Sequence, residues 1–590
     1  MHRFTRLCVV PWMALVATCF TSVADAQYPY ESRTDLTFNR WYSYEDMTDA
    51  LHELAAAYPD LLALRSLGQS IEGREIWLMT LNNPATGPEM SKAAMYIDGN
   101  IHGNEIQAAE TVLYSIWYLT KSHGRIDSLT KLVDDRVFYF VPMENPDGRA
   151  AWFGASTPNH LRGGVQPTDN DADGEYDEDP YDDLDGDGHI TGMWKADPLG
   201  RYKRDEKTGQ FERTGPDDEP GGWTYLGSEG IDNDGDGDVN EDGPGGYDPN
   251  RNWPSDWQPN YIQGGAGDFP FSLPETTAVG MFLFDHPNIA GVQSYHNAGG
   301  MILRGPGANY ITYPRGDDRV HELIAEEGAR LLPFYRSMVI WKDLYTVHGG
   351  QVNWTYEGLG IASFTNELWT DQRMFQSSGA TGEDDRRRFR ERLQFDDIRV
   401  PYAEYEHPTY GTVLIGGTKK YSGRVTPPWL LEEACHRNFA FTMYHADQMP
   451  KVEWGLAQVR GLGRDLWDVT VEVKNPKLIP TVMGIARQKR IGQRDLVTCD
   501  PSGRGSVVMS GTVDSMLPWA TLDAGDDPAE RYDRIWNDDG IGSRGNRLFR
   551  FIVQGRGTVS LRYRSQKGGT IELDLPLKER DAAPAIADAP

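Results

Sequence analysis

The chain contains little cysteine, an excess of acid over base, and only one long hydrophobic run. Four cysteines among 590 residues cannot form an extended disulfide framework, so neither a disulfide-stabilised scaffold nor a cysteine-ligated zinc site is expected. Lysine and arginine total 58 against 88 aspartates and glutamates, which gives a formal charge of -30. Since phosphate binding requires a basic surface, a nucleic-acid partner is not expected.

The hydrophobic run lies at the N terminus. Residues 1–26 combine early arginines, an apolar stretch and small residues before the expected cleavage point, which is the pattern of a cleavable secretory signal. The sequence therefore predicts a secreted or periplasmic protein. No later segment approaches the ~20 consecutive apolar residues of a membrane span. Cys8 and Cys19 would leave with the signal, and Cys435 and Cys499 would either pair or remain as buried thiols.

Length and texture predict two folded domains after the signal. The chain is much longer than one ordinary domain of roughly 150 residues, so more than one domain is expected. Residues 27–450 are assigned to the larger of the two. After residue 450 the sequence changes to alternating strand-like runs, such as residues 468–473 and 558–563. This alternation predicts a β-sandwich over residues 451–580. Residues 581–590 are small and proline-containing, and are expected to be a disordered tail.

Acidic insertions interrupt the larger domain at about residues 165–245. Residues 169–179 (DNDADGEYDED), 183–188 (DLDGDG) and 232–242 (DNDGDGDVNED) each place acids at alternate positions before a glycine. This arrangement resembles calcium loops, because calcium takes six to eight oxygen ligands. The candidate ligands are Asp169, Asp171, Asp173, Asp183, Asp185, Asp187, Asp232, Asp234 and Asp236. The twelfth-position glutamate of an EF-hand is absent, and the alternative is a solvated acidic loop without an ion.

A histidine and a glutamate follow an apolar run in the first third of the chain. Residues 93–98 are typical of a buried strand, residues 106–119 show helical spacing, and the glycine-containing connection holds His102 and Glu105. In open α/β sheets, ligands bind beyond the carboxyl ends of strands, which is where this connection would lie. Imidazole and carboxylate are zinc ligands. Because His-x-x-Glu alone is common by chance, the interpretation requires a further ligand.

His296 is the candidate third ligand. It lies at the end of residues 288–297, a second apolar, β-branched run. A catalytic zinc usually takes three protein ligands and leaves its fourth position to water. A histidine at a strand end can equally be part of a hydrophobic core, so the assignment of His296 as a zinc ligand depends on the presence of His102 and Glu105.

The ordered motifs resemble the zinc metallocarboxypeptidases, the relatives of pancreatic carboxypeptidase A, over roughly residues 44–448. That family has a His-x-x-Glu pair, then an Asn-Arg pair, a third histidine, a tyrosine loop with Gly-Gly, and a catalytic glutamate. In this chain these positions fall in order on His102, Glu105, Asn250, Arg251, His296, Tyr345 and Glu367. Together with the C-terminal pattern, the resemblance implies a mixed, mostly parallel α/β sheet with helices on both faces, followed by an all-β sandwich.

The resemblance also implies a role for each residue. Zinc would be held by His102, Glu105 and His296, and Glu367 would be the general base for the attacking water. Arg162 would stabilise charge on the carbonyl oxygen, because Arg149 follows the Asn-Pro-Asp-Gly turn too closely.

Recognition of the substrate's chain end follows from the same resemblance. Asn250, Arg251 and Tyr345 would hold the terminal carboxylate, since a guanidinium binds a carboxylate with two hydrogen bonds. Val352 corresponds to a position near the base of the specificity pocket. An apolar residue there favours an uncharged or hydrophobic C-terminal side chain over a basic one.

The sequence therefore predicts an exported zinc carboxypeptidase that acts on the C termini of peptides or proteins. The first alternative is hydrolysis of cell-wall peptides, or of another amide with a free carboxylate, by the same residues. The second is a calcium-dependent binding or adhesion protein on an inactive peptidase scaffold. The intact ligand set and Glu367 argue against the second, because an inactive relative is expected to lose one or more of them.

Overall fold

The computed structural model describes residues 31–154, 162–167, 169, 174–206, 208–235, 237–240, 243, 245–379, 381–523 and 531–585. The predicted signal at residues 1–26 lies outside the described residues. So do three of the candidate calcium ligands, Asp171, Asp173 and Asp236.

The described residues form helices and strands in alternation through the larger domain and mostly strands after it. The helices are α1 Tyr44–Ala57, α2 Gln107–Ser122, α3 Asp127–Asp135, α4 Pro146–Phe153, α5 Pro274–Asp285, α6 Arg315–Leu331, α7 Ile340–Asp343, α8 Gln351–Glu357, α9 Glu383–Leu393, α10 Pro428–Gln448 and α11 Gly484–Lys489. The strands are β1 Leu62–Gln69, β2 Glu75–Leu81, β3 Ala93–Gly99, β4 Arg136–Val141, β5 Gly192–Ala196, β6 Tyr202–Arg204, β7 Phe211–Arg213, β8 Gly222–Ser228, β9 Ile289–Asn297, β10 Met301–Arg304, β11 Arg336–Val339, β12 Ala362–Leu368, β13 Arg399–His407, β14 Gly411–Thr418, β15 Glu453–Gly463, β16 Leu466–Asn475, β17 Asp495–Pro501, β18 Ser506–Val513, β19 Arg534–Asn537, β20 Gly545–Gln554, β21 Thr558–Ser565, β22 Gly569–Pro576 and β23 Arg580–Pro584.

A mixed sheet organises the larger domain, with strand order β1-β2-β4-β3-β9-β12-β10-β11. The central strands β4, β3, β9 and β12 run parallel to one another, whereas β1, β2 and β10 pair with antiparallel neighbours. The predicted strand and helix around the His-x-x-Glu motif are confirmed as β3 and α2. Because β3, β9 and β12 are parallel neighbours, their carboxyl ends meet at one edge of the sheet.

Both faces of this sheet are covered, as predicted. Met95 and Ile97 of β3 pack into a core that contains residues of α1, α2, α6 and α10. Ala94 and Tyr96, which alternate with them, pack into a second core with residues of α5 and α8. Successive side chains of a strand point to opposite faces, so a strand covered on both sides is apolar throughout.

A second sheet, which the sequence did not predict, lies within the larger domain. Its strand order is β13-β14-β5-β8-β6-β7. The strands come from two segments, residues 192–228 and 399–418, so the region that was predicted to be acidic loops also contains strands. Leu184 and Val239, from two of the acidic segments, pack against Met193, Val413 and Ile415 of this sheet. The acidic segments are therefore anchored to a small apolar cluster.

The C-terminal residues form two antiparallel sheets around their own core, which confirms the predicted sandwich. The strand orders are β18-β20-β16-β15-β23 and β19-β17-β21-β22. The predicted disordered tail is wrong for its first residues, because β23 pairs with β15 from Leu456 to Val459. The backbone hydrogen bonds of this edge pairing, rather than side-chain burial, fix these residues. Residues 586–590 lie outside the description.

Cys435 and Cys499 are both free and buried. Cys435 packs in the main core of the larger domain, and Cys499 packs in the core of the sandwich. Pairing of these two thiols, one of the two outcomes left open by the sequence, is therefore not found.

The sandwich is attached to the larger domain through α11. The carboxylate of Asp317, in α6, accepts hydrogen bonds from the backbone N–H groups of Gly484 and Ile485, each at 2.8 Å. Lys489 donates to the carbonyl oxygen of Glu357, the last residue of α8, at 2.9 Å. Among the described residues, no helix has the length and apolar character needed to cross a bilayer.

Candidate metal centre and active site

Three predicted zinc ligands converge at the carboxyl edge of the main sheet. The Nδ1 atom of His102 lies 3.0 Å from Oε1 of Glu105, and Nδ1 of His296 lies 2.9 Å from Oε2 of the same carboxylate. The two Nδ1 atoms are 3.2 Å apart. All three side chains are buried. Two nitrogen ligands of a tetrahedral zinc, each at ~2.05 Å, would be about 3.3 Å apart, so this spacing fits that ion.

The outer nitrogens of both histidines have fixed partners. Nε2 of His102 lies 3.0 Å from Oδ1 of Asp248, and Nε2 of His296 lies 3.2 Å from Oγ of Ser294. Ser294 in turn donates to the buried carboxylate of Asp98 at 2.6 Å. We assign the ring protons to the outer nitrogens, which leaves lone pairs on both inner Nδ1 atoms. Two lone pairs and a carboxylate facing one point repel one another unless a cation lies between them.

The loop that carries His102 and Glu105 is held by buried polar contacts. Asn100 adopts a positive φ of 58°, and its side-chain amide donates to the carbonyl oxygen of His102 at 2.7 Å. Arg149 donates to the side-chain oxygen of Asn100 at 2.9 Å and to Glu110 at 2.6 Å. Arg149 is thus fully buried in a structural role, which agrees with its exclusion as a donor to substrate.

Gly103 permits a close approach that a larger residue would prevent. A Cβ atom at this position would lie 2.8 Å from the backbone carbon of Gly148, in the Asn-Pro-Asp-Gly turn. The backbone N–H of Gly103 also donates to the carbonyl oxygen of Arg162 at 2.9 Å. The segment bearing Arg162 is therefore attached directly to the metal-binding loop.

Glu367 lies beside the third ligand. In the parallel pairing of β12 with β9, Glu367 is opposite His296, so the two side chains project from the same face. Burial, and next the negative charge of Glu105, raise the pKa of Glu367 to about 7. The neighbouring His296, Arg162 and Arg424 oppose this rise. Its carboxylate is thus close to the metal-binding atoms without being one of them.

Arg162 reaches the same centre from the segment after the Asn-Pro-Asp-Gly turn. Its Nε donates to Oδ2 of Asp248 at 2.8 Å, and its Nη1 lies 3.5 Å from Oε1 of Glu105. Burial alone would lower the pKa of Arg162, but Asp248 and Glu105 raise it, with a smaller contribution from the phenol of Tyr345. The guanidinium remains cationic, and its side chain is 36% exposed.

Asn250 and Arg251 lie next to this ion pair. Arg251 is buried, and its Nη1 lies 3.8 Å from Oδ2 of Asp248. The side-chain oxygen of Asn250 accepts a hydrogen bond from the backbone N–H of Gln351 at 2.9 Å. Gly349 has a φ of +64°, and a Cβ there would lie 2.1 Å from the carbonyl oxygen of Arg251. The Gly-Gly loop therefore packs directly on the Asn-Arg pair.

The remaining two predicted residues differ in exposure. Tyr345 is 56% exposed. Val352 is 5% exposed and packs with Leu303, Met338, Ile340 and Val347. Val352 is thus part of a small apolar cluster at the start of α8, next to Gln351 and the Asn-Arg pair.

Two site residues were not assigned from the sequence. Asp248 orients His102 and pairs with two arginines; it stands two residues before Asn250 in the motif, and its position was the signal that could have identified it. Arg424, whose Nη2 lies 3.2 Å from Oε1 of Glu105, comes from the connection between β14 and α10. No sequence motif identifies Arg424. Residues 105 and 424 are far apart in the sequence, and only the folded chain brings them together.

The acidic segments converge only in part. Carboxylate oxygens of Asp183, Asp185 and Asp187 can all lie within 4.8 Å of one another. Asp169 and Asp232 accept hydrogen bonds from the backbone N–H groups of Gly174 and Gly235, at 3.2 and 2.6 Å. Asp234 is exposed, and among the described residues it does not belong to the cluster of Asp183, Asp185 and Asp187.

One buried aspartate joins two acidic segments. Asp179 accepts from the backbone N–H groups of Asn233 and Asn240, at 2.8 and 2.5 Å. The segments at residues 169–179 and 232–242 therefore form one unit.

Family models match both predicted domains. The zinc carboxypeptidase model matches residues 47–381, more than half of the chain, and a model for a domain of unknown function matches residues 451–576. The predicted family resemblance is thereby confirmed, and the second match coincides with the sandwich.

Curated relatives align with this chain over short stretches. Mouse carboxypeptidase D is 35% identical over 118 residues, which are 20% of this chain and 9% of that protein. An inactive metallocarboxypeptidase of Saccharomyces cerevisiae is 32% identical over 130 residues, which are 22% of this chain and 30% of that protein. The chain thus spans less than a third of the length of either relative.

Among solved structures, carboxypeptidase A of Helicoverpa armigera is 18% identical, with a TM-score of 0.43. The match covers 70% of this chain and 76% of that one. Thrombin-activatable fibrinolysis inhibitor gives a TM-score of 0.44 at 16% identity over the same shares.

Proposed function

Because the chain belongs to the zinc carboxypeptidase family, we propose that it is a zinc-dependent carboxypeptidase that removes C-terminal residues from peptides. The observation that carries this proposal is the convergence of His102, Glu105 and His296 beside Glu367. One buried histidine pair can be structural. Two histidines and a glutamate with inward-facing lone pairs, next to a carboxylate outside the ligand set, make a hydrolytic metal site.

Zinc held by the three ligands would lower the pKa of a bound water towards ~7 and polarise the scissile carbonyl. Glu367 accepts a proton from the attacking water and passes it to the departing amine. Its position opposite His296 supports this role. A raised pKa also suits a residue that must first take up and then release a proton near neutral pH.

Arg162 donates to the carbonyl oxygen as negative charge develops there. Two features support this role: its guanidinium is oriented by Asp248 at 2.8 Å, and it is 36% exposed on the side of Glu105. A donor fixed in advance needs little reorganisation during the reaction.

Asn250 and Arg251 receive the terminal carboxylate of the substrate, and Tyr345 closes over it. A buried arginine beside the metal ligands favours a substrate that ends there, since an internal peptide segment offers no anion to pair with it. The exposure of Tyr345 allows this side chain to move when substrate binds.

Val352 supports a preference for uncharged or hydrophobic C-terminal residues, because it packs with other apolar residues. Otherwise matched peptides that end in Phe or Arg test this preference. We expect the higher kcat/KM for the Phe-ended peptide, and a higher value for Arg would refute it.

The function is tested by digestion of a peptide library, with and without a zinc chelator, read by mass spectrometry. We expect chelator-sensitive loss of single C-terminal residues. Glu367→Gln should lower turnover by about 10²- to 10⁴-fold with unchanged zinc content. Internal cuts, or release that is unaffected by the chelator, would contradict the proposal. Equal inactivity of wild type and Glu367→Gln, with zinc bound to both, would favour a binding protein.

We further propose export by the N-terminal signal and calcium binding by the acidic segments. The supporting observation for calcium is the convergence of Asp183, Asp185 and Asp187. Desolvation, and next the neighbouring Asp187, raise the pKa of Asp185, as expected for carboxylates held close together. Thermal melting in calcium and in a calcium-selective chelator tests the site. Identical midpoints would leave a solvated acidic loop as the better interpretation.

A further inference from the structure

Arg424 is a second guanidinium at the metal centre, and the proposed chemistry does not use it. It lies in the connection between β14 of the inserted sheet and α10. Its Nη2 donates to the carbonyl oxygen of Asn297 at 2.6 Å and lies 3.2 Å from Oε1 of Glu105. The side chain is 36% exposed, the same fraction as that of Arg162. A charged donor therefore lines the open side of the site.

The backbone of Arg424 is held by the same elements that carry the metal ligands. The side chain of Asn297, the residue after His296, donates to the carbonyl oxygen of Arg424 at 2.9 Å. Gln107, two residues after Glu105, accepts from the backbone N–H of Thr426 at 2.9 Å. These contacts fix the segment on both sides of Arg424. The guanidinium is thus positioned relative to the metal ligands before any substrate arrives.

Arg424 has different neighbours from the groups assigned to the chain end. Among the described residues, Asp248 makes ion pairs with His102, Arg162 and Arg251 but not with Arg424. Arg424 instead contacts Asn297, next to His296. A peptide whose terminal carboxylate lies at Arg251 and whose last peptide bond lies at the metal must extend past the ligands, away from Asp248.

Local charge favours an additional acidic group on the substrate. The guanidinium groups of Arg162, Arg251 and Arg424 pair with two carboxylates, Glu105 and Asp248. A bound divalent metal would add positive charge beside them. In a site partly shielded from water, an anion is attracted to such charges more strongly than on the surface.

We propose that Arg424 binds an acidic side chain on the substrate residue just before the cleaved bond, and that the enzyme therefore prefers Glu or Asp at the penultimate position. About a third of the Arg424 side chain is exposed, which offers an incoming carboxylate a cationic partner. A guanidinium pairs with a carboxylate through two parallel hydrogen bonds. This inference rests on the proposed carboxypeptidase function.

The test compares peptides that end in Glu-Phe, Gln-Phe and Ala-Phe and are otherwise identical. We expect wild type to cleave the Glu-Phe peptide with the highest kcat/KM. Arg424→Gln should lower the value for Glu-Phe by roughly 10- to 100-fold, as expected for a hydrogen bond to a charged group, with a much smaller effect on Ala-Phe. Arg424→Lys, which keeps the charge but not the fork, should retain part of the preference.

Zinc affinity, measured by competition with a chromophoric chelator, separates substrate binding from a role in holding Glu105. Zinc affinity should be unchanged in Arg424→Gln. The matched control is Arg437→Gln, since Arg437 forms a surface ion pair with Glu433. A fall in zinc affinity that accounts for the lost activity would overturn the inference, as would an equal loss on all three peptides or no loss. If wild type released no C-terminal residue from any peptide, the proposed function itself would fail.

Discussion

The metal centre and the acidic insertion are both rich in carboxylates, but the neighbours of those carboxylates differ. Glu105 and Asp248 are buried, which alone would raise the pKa of each. Their neighbours, His102 first for Glu105 and Arg251 first for Asp248, nevertheless hold both pKa values well below the usual range. In the insertion, desolvation raises the pKa of Asp185, and the adjacent Asp187 adds to that rise. Neighbouring groups therefore stabilise the charged form of the carboxylates at the metal centre, whereas Asp185 and Asp187 repel each other.

The largest difference is expected when a neutralised carboxylate is changed. Glu105→Gln removes a metal ligand and leaves two arginines and two histidines without their shared anion. Zinc affinity should fall by more than the ~10- to 100-fold typical of residues that only orient a ligand, and peptidase activity should fall with it. Metal analysis after dialysis against a weak chelator measures the loss.

Asp187→Asn, in the insertion, is the matched control for Glu105→Gln. It should leave zinc content and turnover unchanged. If the two variants lost zinc equally, the distinction between the two regions would not hold.

A smaller effect is expected from Asp248→Asn, which keeps the shape of the side chain but removes its charge. The amide can still accept from Nε2 of His102, yet it pairs poorly with Arg162. We expect zinc affinity to fall about 10- to 100-fold and kcat to fall as Arg162 loses its orientation. Competition with a chromophoric chelator and steady-state kinetics at saturating zinc separate the two effects. Wild-type affinity together with wild-type kcat would contradict the role assigned to Asp248.

The sequence predicted the metal ligands more completely than their surroundings. His102, Glu105, His296 and Glu367 lie at the ends of apolar strands, and their order along the chain identified them. Arg424 and the inserted sheet were missed for one physical reason: both depend on contacts between segments about 200 residues apart or more. The local pattern of apolar residues indicates which residues are buried and whether a segment is a helix or a strand. It does not indicate which distant segment pairs with β5 or which side chain contacts Glu105.

The predicted tail shows the opposite error. Residues 581–584 lack an apolar pattern, so composition suggested disorder. Backbone hydrogen bonds to β15 nevertheless recruit them as an edge strand, because main-chain pairing is largely independent of side-chain type. Composition could not distinguish a free tail from an edge strand.

The response to pH should also distinguish the two regions. Burial raises the pKa of Glu229, in the insertion, to about 7, although Thr191 donates two hydrogen bonds to it. A carboxyl whose folded-state pKa lies above its unfolded value contributes stability that is complete below about pH 4.5 and is lost as the pH rises through about 7.

We therefore expect Glu229→Gln to gain stability relative to wild type between pH 4.5 and 8. The upper limit of the gain is about 3 kcal/mol, at ~1.4 kcal/mol per pKa unit. Thermal melting of both proteins across this range measures it. A stability difference that does not change with pH would show that folding does not raise the pKa of Glu229.

The smallest change concerns Asp179, the aspartate of the insertion that most resembles those of the metal centre. It is buried and accepts two backbone N–H groups that join the segments at residues 169–179 and 232–242. Asp179→Asn would turn an amide N–H₂ towards one of these donors and lose a charged hydrogen bond. We expect a loss of about 2 kcal/mol and faster proteolysis near residues 232–242, with turnover on short peptides maintained. The exposed Asp234→Asn should change stability by less than about 0.5 kcal/mol. If the two variants lost equal stability, burial and hydrogen bonding would not decide which acidic residues stabilise the insertion. Bound cations or solvent would then be the deciding factor.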